Sequence, residues 1–325
     1  MSLSEFELIN RFFRDCGAAR ADVRLGVGDD AALLACPPDR QLVAALDTLV
    51  EGVHFPAGSP PASIGHRVLA VNLSDLAAMG AEPAWALLAL TLPRAEATWL
   101  AEFSEGLCAL AREFQVALVG GDTTSGPLCA TLQILGFSEP ATALTRSGGK
   151  PGDALFVSGT PGDAAAGLLL EQSRLEVSAA DIAAQLRARF LFPSPRVALG
   201  RRLRGYASAC IDISDGLLGD AAKLARASGC GVELEHEQLP LSFALKHACA
   251  ADRAHALALL GGDDYELLFS VPPARIAALQ ADLPPAAWSY THIGTLVEQP
   301  GARVLRNGNV MDFAHSGFDH FAAPG

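Results

Sequence analysis

The amino-acid sequence predicts an α/β protein made of two α/β domains, and three observations carry that expectation. The chain has 325 residues and is 50 % hydrophobic, enough to bury more than one sizeable core. Apolar runs of strand length alternate with longer stretches of helical spacing through both halves. The cluster Ser147-Gly148-Gly149-Lys150-Pro151-Gly152-Asp153 then breaks the pattern, which starts afresh as strand, loop and helix. It divides the chain into 1–146 and 147–325.

The elements follow in order. Residues 4–14 place Phe6, Ile9 and Phe13 on one helical face, with Ser4 as a cap. Residues 23–28 and 42–47 are two strands separated by the turn-former Pro37-Pro38-Asp39. Residues 63–80 form a long helix capped by Ser63 and stopped by Gly80, on which Asn72, Asp75 and Met79 share a face. A strand at 83–92, a helix at 98–114 and strands at 116–119 and 129–137 complete the first half. In the second half a strand at 154–157 leads through Ser158-Gly159-Thr160-Pro161-Gly162-Asp163 into a helix at 164–171. Residues 206–213 are a strand, 215–227 a helix and 266–271 a strand, with no periodic repeat.

Composition narrows the function classes. A net charge of −12 argues against a sequence-independent nucleic-acid binder, which needs a basic footprint. No run approaches the ~20 unbroken apolar residues of a membrane helix, and residues 1–10 lack the form of a signal peptide. The expected location is the cytoplasm. Seven scattered cysteines with no C-x-x-C pair are expected to be free, mostly buried thiols.

Aspartates recur at the ends of, or inside, apolar runs: Asp29-Asp30, Asp47, Asp75, Asp122, Asp212 and Asp215. Any one of them is explained as a turn former or helix cap. Jointly, with few basic residues nearby, they point to hard divalent cations, magnesium foremost. In Asp47-Thr48-Leu49-Val50-Glu51-Gly52-Val53-His54-Phe55 a carboxylate at a strand end precedes a His-Phe pair suited to an organic substrate, so one segment serves both metal and acceptor.

Familiar phosphate signatures fail. Gly26-Val27-Gly28-Asp29-Asp30-Ala31 fits the dinucleotide fingerprint, but its cradle holds two acids. Like charges 4 Å apart repel by about 4 kcal/mol at an effective dielectric near 20, so only a magnesium-carrying pyrophosphate would be accepted. Gly148-Gly149-Lys150-Pro151 has proline where a P-loop needs serine or threonine, and the protein-kinase H-R-D and D-F-G signatures are absent.

The segments Gly28-Asp29-Asp30-Ala31-Ala32, Asp47 to Phe55, Asn72-Leu73-Ser74-Asp75-Leu76-Ala77-Ala78-Met79-Gly80-Ala81, Gly120-Gly121-Asp122-Thr123, Ile213-Ser214-Asp215-Gly216-Leu217, Gly261-Gly262-Asp263-Asp264-Tyr265-Glu266-Leu267-Leu268-Phe269 and Gly317-Phe318-Asp319-His320-Phe321 together resemble the thiamine-monophosphate kinase family. The resemblance spans essentially the whole chain. Asn-Leu-Ser-Asp and Ile-Ser-Asp-Gly alone indicate the wider aminoimidazole-ribotide-synthetase-like superfamily; the His54 and Gly-Gly-x-Asp-Tyr-Glu segments are more specific.

That resemblance implies two α/β domains of the aminoimidazole-ribotide-synthetase-like (PurM-like) type. The first binds ATP and magnesium and pairs with its copy in a homodimer; the second covers the nucleotide cleft and contributes to the thiamine pocket. It implies transfer of the γ-phosphoryl group of ATP onto thiamine monophosphate, with several Mg2+ ions. Carried over by position, Asp30, Asp47, Asp75, Asp122, Asp212 and Asp215 are magnesium ligands, and Gly121, Asp122, Arg146 and Ser214 contact the nucleotide. His54, Asp263 and Phe318 line the thiamine pocket. Arg146 and the metal-bound aspartates stabilise charge, and no residue is assigned as nucleophile.

Each position also has a plainer explanation: His54 as a turn or core histidine, Arg146 as a solvated loop cation, Ser214 as the cap of the following helix, Phe318 as a packing anchor. Two departures from the family pattern stand out. Ala45 and Leu46 replace the hydroxyl residues usual before Asp47, and Asp263 replaces the usual glutamate. Among rival enzymes, a selenophosphate synthetase needs a reactive amino-terminal cysteine segment that Cys16-Gly17-Ala18 lacks. A hydrogenase-maturation protein needs a carboxy-terminal cysteine, whereas this chain ends Ala322-Ala323-Pro324-Gly325. A ribotide ligase would leave the His54 segment unexplained. A non-catalytic magnesium- or calcium-binding protein is disfavoured because the sequence has no D-x-D-x-D-G calcium loop and Arg146 beside an acid cluster would go unexplained.

Overall fold

A computed structural model describes residues 5–313. The chain forms two compact units: one spans the chain up to Leu76 together with Ala81–Ala141, and the other takes Ala77–Gly80 and the chain from Thr142 onward.

In the first unit the order is α1 (Glu5–Phe12), β1 (Val23–Leu25), β2 (Leu33–Leu34), β3 (Gln41–Val50), α2 (Pro61–Ala78, its last two residues in the other unit), β4 (Glu82–Leu92), α3 (Ala97–Glu113), β5 (Ala117–Ser125) and β6 (Cys129–Ser138). Four strands make one sheet in the order β3-β6-β4-β5, antiparallel except for the β4–β5 pair. Helix α2 is buried nearly all round, with Ile64, Val68, Leu69, Leu73 and Leu76 at 1 % exposure or less and the polar Arg67, Asn72 and Ser74 buried among them. Reciprocal glycines set its distance from α3. A Cβ on Gly65 would meet the Phe103 carbonyl oxygen at 2.0 Å, and one on Gly106 the Ala62 carbonyl oxygen at 2.0 Å.

Three local expectations are corrected here. Helix α2 begins at Pro61, because proline suits a first helical turn, and the Ser63 hydroxyl donates to the Pro60 carbonyl at 2.7 Å, so Ser63 is no cap. Asp47 does not end its strand, for β3 runs on to Val50 with Asp47 opposite Leu132 and Thr48 sharing a 2.9 Å hydroxyl bond with Thr131. Likewise β5 continues through Gly120, Gly121 and Asp122, with Asp122 opposite Ala89. Both are edge strands. A backbone ladder is indifferent to side-chain polarity where one side of the strand is open to water.

The expectation of seven free thiols is also corrected. Cys16 and Cys108 form a disulfide across a sequence separation of 92, leaving five free cysteines. The cause is tertiary: the chain just after α1 packs on α3, where the rings of Phe13 and Phe103 meet edge to face at 6.4 Å.

The second unit contains β7 (Ala154–Ser158), α4 (Asp163–Glu171), α5 (Ala180–Leu191), α6 (Val197–Leu203), β8 (Ala209–Asp212), α7 (Leu217–Ala227), β9 (Gly231–Glu235), α8 (Phe243–Ala248), α9 (Ala251–Leu260), β10 (Leu267–Val271), α10 (Pro273–Asp282), α11 (Pro285–Trp288), β11 (Tyr290–Val297), β12 (Gly301–Arg306) and β13 (Asn309–Met311). Seven strands form one sheet in the order β13-β12-β9-β11-β7-β10-β8. Leu155, Ile211, Leu234, Leu268 and Ile293 on the sheet pack with Leu217 and Leu224 of α7. A second apolar cluster joins Leu170, Leu186, Leu245 and Ala258 of α4, α5, α8 and α9. The strand expected over 206–213 is shorter because Gly205 turns at φ +88° and the ladder begins at Ala209.

Between these cores lies Glu266, fully buried. Arg196 grips it with two bonds of 2.6 and 2.5 Å, Arg189 donates at 2.7 Å and the Ser158 hydroxyl at 2.5 Å. Burial alone would raise its pKa, but the bonds to Arg196, the charges of both arginines and the Ser158 hydroxyl outweigh it and hold the carboxyl below its usual range. Among the described residues no helix is long and apolar enough to cross a membrane.

Two predictions follow from this packing. Titration of thiols in denaturant should count five of the seven cysteines without reductant and all seven after reduction. Glu266 has a depressed pKa, so its stabilisation is complete above about pH 4.3, the ordinary glutamate value, and is lost as pH falls through the lower folded value. Glu266→Gln strands two guanidiniums without their carboxylate and should cost about 3–5 kcal/mol near neutrality. Melting curves across pH should show that deficit shrinking below about pH 4.

Candidate functional site

In the first unit, α1, the loop after β1, β5 and β6 enclose a cavity of about 1030 Å³, lined by Arg14, Asp29, Asp30, Gly121, Asp122 and Gln133 among others. That volume is at the upper end for small-molecule pockets. Asp30 is exposed, its N–H bonded to the Asp29 carboxylate at 2.8 Å. Asp122 is also exposed. Gly121 sits at φ +149°, and a Cβ there would lie 1.8 Å from the Leu88 carbonyl oxygen, so only glycine fits and bare backbone forms part of the wall. Three of the sequence-predicted residues, Asp30, Gly121 and Asp122, therefore share one cavity.

The other candidates of this unit lie elsewhere. Asp47 is half-buried in β3, and Asp75 is half-buried on α2; neither lines the cavity. The His54 ring closes the turn after β3: its Nδ1 accepts the Val50 N–H at 3.0 Å, which leaves the proton of the neutral ring on Nε2. The His54 carbonyl receives a 3.4 Å bond from buried Arg67.

In the second unit two turns lie side by side. Residues 213–216 follow β8, which ends at buried Asp212, and 261–265 precede β10. They are tied backbone to backbone: Asp263 N–H to Ser214 O at 2.9 Å, Tyr265 N–H to Ile213 O at 2.8 Å, and Ile213 N–H to Glu266 O at 2.8 Å. Ser214, Asp215 and Asp263 are thus neighbours. Ser214 does not cap α7, which begins at Leu217 with Gly216 before it at φ +119°. Its N–H and that of Asp215 both donate to Asp220 Oδ2 at 3.0 Å. Asp215 is not left unpaired, since Lys223 Nζ reaches it at 2.5 Å and Asp220 Oδ1 at 2.7 Å. Burial depresses the Lys223 pKa, but the two carboxylates outweigh it and hold the lysine above its usual range.

Asp264, 1 % exposed, points away from its neighbour Asp263 and accepts the Gly162 N–H at 2.8 Å and the Ala164 N–H at 3.4 Å, at the start of α4. The Gly162 donor of the glycine loop at 158–163 is therefore occupied from within. Burial pushes the Asp264 carboxyl well above its usual range, against the Gly162 bond, and burial raises Asp220 despite Lys223. Arg146 is exposed, its carbonyl taking the Ser228 hydroxyl at 3.0 Å. Phe318 lies outside the described residues.

For magnesium the donor chemistry is suitable: Asp30 and Asp122 offer hard oxygens to one cavity. Among the described residues no three His, Cys, Asp or Glu side chains form a cluster able to hold a metal alone. Magnesium commonly keeps several waters and takes substrate phosphate oxygens beside one or two carboxylates. Motif and periodicity assign no roles to Asp220, Lys223, Asp264, Arg189 or Arg196. One available signal was the doubled acid of Asp263-Asp264, adjacent residues that cannot both face the same side of a turn.

Residues 28–137 match the model of the AIR synthase related protein N-terminal domain, and 150–307 that of the C-terminal domain. The thiamine-monophosphate kinase of Escherichia coli is 46 % identical over 325 residues, covering 100 % of both chains. The crystal structure of thiamine-monophosphate kinase from Stenotrophomonas maltophilia is 43 % identical with a TM-score of 0.86, covering 96 % of this chain and 99 % of its own. That of AaThiL complexed with AMPPCP and TMP is 34 % identical with a TM-score of 0.78, covering 91 % of this chain and 92 % of its own. With both halves of the PurM-like α/β fold present and full-length relatives of this identity, the chain belongs to the thiamine-monophosphate kinase family of AIR synthase related proteins.

Proposed function

We propose that the protein transfers the γ-phosphoryl group of ATP directly onto thiamine monophosphate, giving thiamine diphosphate and ADP. The observation that carries the reading is full-length identity to thiamine-monophosphate kinases in a chain whose Asp30, Gly121 and Asp122 line one cavity. Asp30 and Asp122 are assigned to magnesium and Gly121 to the nucleotide. Asp47, Asp75, Asp212 and Asp215 are further metal ligands by position in the family motifs. Ser214 and Arg146 are assigned to the nucleotide, and His54, Asp263 and Phe318 to the thiamine moiety.

Phosphoryl transfer asks a protein for position and charge control. Bare phosphates beside Asp29, Asp30 and Asp122 would be repelled, so those acids select the metal-bound nucleotide over the free one. Magnesium, when bound, neutralises phosphate charge. The phosphate acceptor is already an anion, so no strong general base is required, and no side chain is assigned as nucleophile. His54, with its proton on Nε2, offers a donor rather than a base.

A homodimer is part of the same reading. Edge strand β3 exposes Leu42 at 51 % and Leu46 at 59 %, on the same face at even spacing, an apolar edge that a second copy would cover. A cytoplasmic address is kept as well, although the Cys16–Cys108 bond weighs against it, disulfides being rare there.

The test is a magnesium-dependent assay of ATP with thiamine monophosphate, reading both products. Wild-type protein should form thiamine diphosphate and ADP in equal amounts, and Asp122→Asn should lower kcat by about 100-fold or more. Folded wild-type protein without product would turn attention to ribotide substrates. Light scattering should give a dimer mass for the wild type and a monomer mass for Leu46→Asp.

A further inference from the structure

We propose that two buried acids outside the substrate contacts divide the work of positioning: Asp264 holds the turn bearing Asp263 for the acceptor, and Asp220 holds the turn bearing Ser214 and Asp215 for the nucleotide. The proposal rests on the assignment of Asp263 to thiamine monophosphate and of Ser214 and Asp215 to metal-bound ATP.

The backbone at Asp263 and Tyr265 is at φ +68° and +50°, a left-handed conformation rare for residues with a side chain and least suited to a bulky one. Such a turn persists only if its surroundings impose it. Side chains alternate along it. Asp263 and Tyr265 share one side, where the Tyr265 hydroxyl donates to Asp263 Oδ1 at 3.1 Å. Asp264 and Glu266 face the other side at 1 % and 0 % exposure. Asp264 is fastened to the amino end of α4 by the Gly162 and Ala164 N–H groups. The segment after β8 has its own fastener, Asp220 of α7, which accepts the N–H groups of both Ser214 and Asp215 and is held in turn by Lys223. The cross-ties between the two turns keep them in register. Each turn nevertheless hangs from a different helix, so loosening one anchor acts on its own turn first.

An amide at either position replaces one acceptor oxygen by a donor, which then meets an N–H or the lysine ammonium. In Asp264→Asn the KM for thiamine monophosphate should rise about tenfold, with the KM for ATP within about twofold of wild type. In Asp220→Asn the pattern should be reversed. Asp264→Ser and Asp220→Ser, smaller and uncharged, replace either amide variant that does not fold, as judged by near-ultraviolet circular dichroism. The crossed pattern is the supporting result, because general loosening would move both constants together. Both KM values shifting together in each variant, or neither shifting while only the melting temperature falls, overturns the proposal. Asp263→Ala separates the two levels of inference: if it leaves the KM for thiamine monophosphate unchanged, the underlying site assignment fails, and if wild-type protein makes no thiamine diphosphate, the kinase reading fails.

Discussion

A carboxylate taken out of water must be met by donors that are already fixed in place, and the second unit meets that demand at Asp220, Asp264 and Glu266. Leaving any one of them unmatched would cost several kcal/mol, a large share of a domain's net stability. The donors are chosen differently. Glu266 faces two arginines and a hydroxyl, which hold its pKa down against burial. Asp264 faces backbone N–H groups, and burial prevails. In both cases the donors lie on segments distant in sequence, so satisfying the acid also fixes where the turns after β8 and before β10 can lie. Fold and site geometry in this unit are consequences of the same hydrogen bonds.

The first unit is held together on other terms. Its helix α2 is surrounded by apolar contacts and approaches α3 as closely as two glycines permit. Rigid packing there leaves the acids free to face water, where a carboxylate costs little to keep. Asp30 and Asp122 stand exposed on the wall of a cavity beside the bare backbone of Gly121. An exposed acid in that position keeps its water shell until a cation arrives, which suits an oxygen ligand that must exchange water for phosphate.

Much of this architecture was legible in the sequence. The long helices over 63–80 and 98–114 and the strands of the first sheet follow, apart from their ends, from periodicity and punctuation, which report on local burial. What periodicity misreads are strands that continue beyond their apolar run. Asp47 and Asp122 mark the end of hydrophobicity and not the end of pairing, because β3 and β5 are edge strands and their ladders with β6 and β4 persist through polar residues. The Cys16–Cys108 bond was illegible for a related reason: spacing rules describe neighbours in sequence, and these cysteines become neighbours only once the chain after α1 lies on α3.

The site shows the same limit more sharply. Aspartates beside glycine or apolar residues all look alike as letters, yet Asp30 and Asp122 are exposed while Asp220 and Asp264 are sealed at 1 % exposure. The first kind faces a cavity that a ligand can enter. The second kind is occupied by backbone N–H groups and, at Asp220, by Lys223. In Asp263-Asp264 the two kinds are adjacent, turned to opposite sides of a tight turn with left-handed backbone at Asp263 and Tyr265. Residue type therefore says that a segment carries acid chemistry, whereas burial says which acid performs it and which holds it in place. A shift of one residue in that turn would exchange the two, exposing the anchor and burying the contact. The left-handed backbone at Asp263 and Tyr265 is part of the turn that sets which of the two acids faces inward.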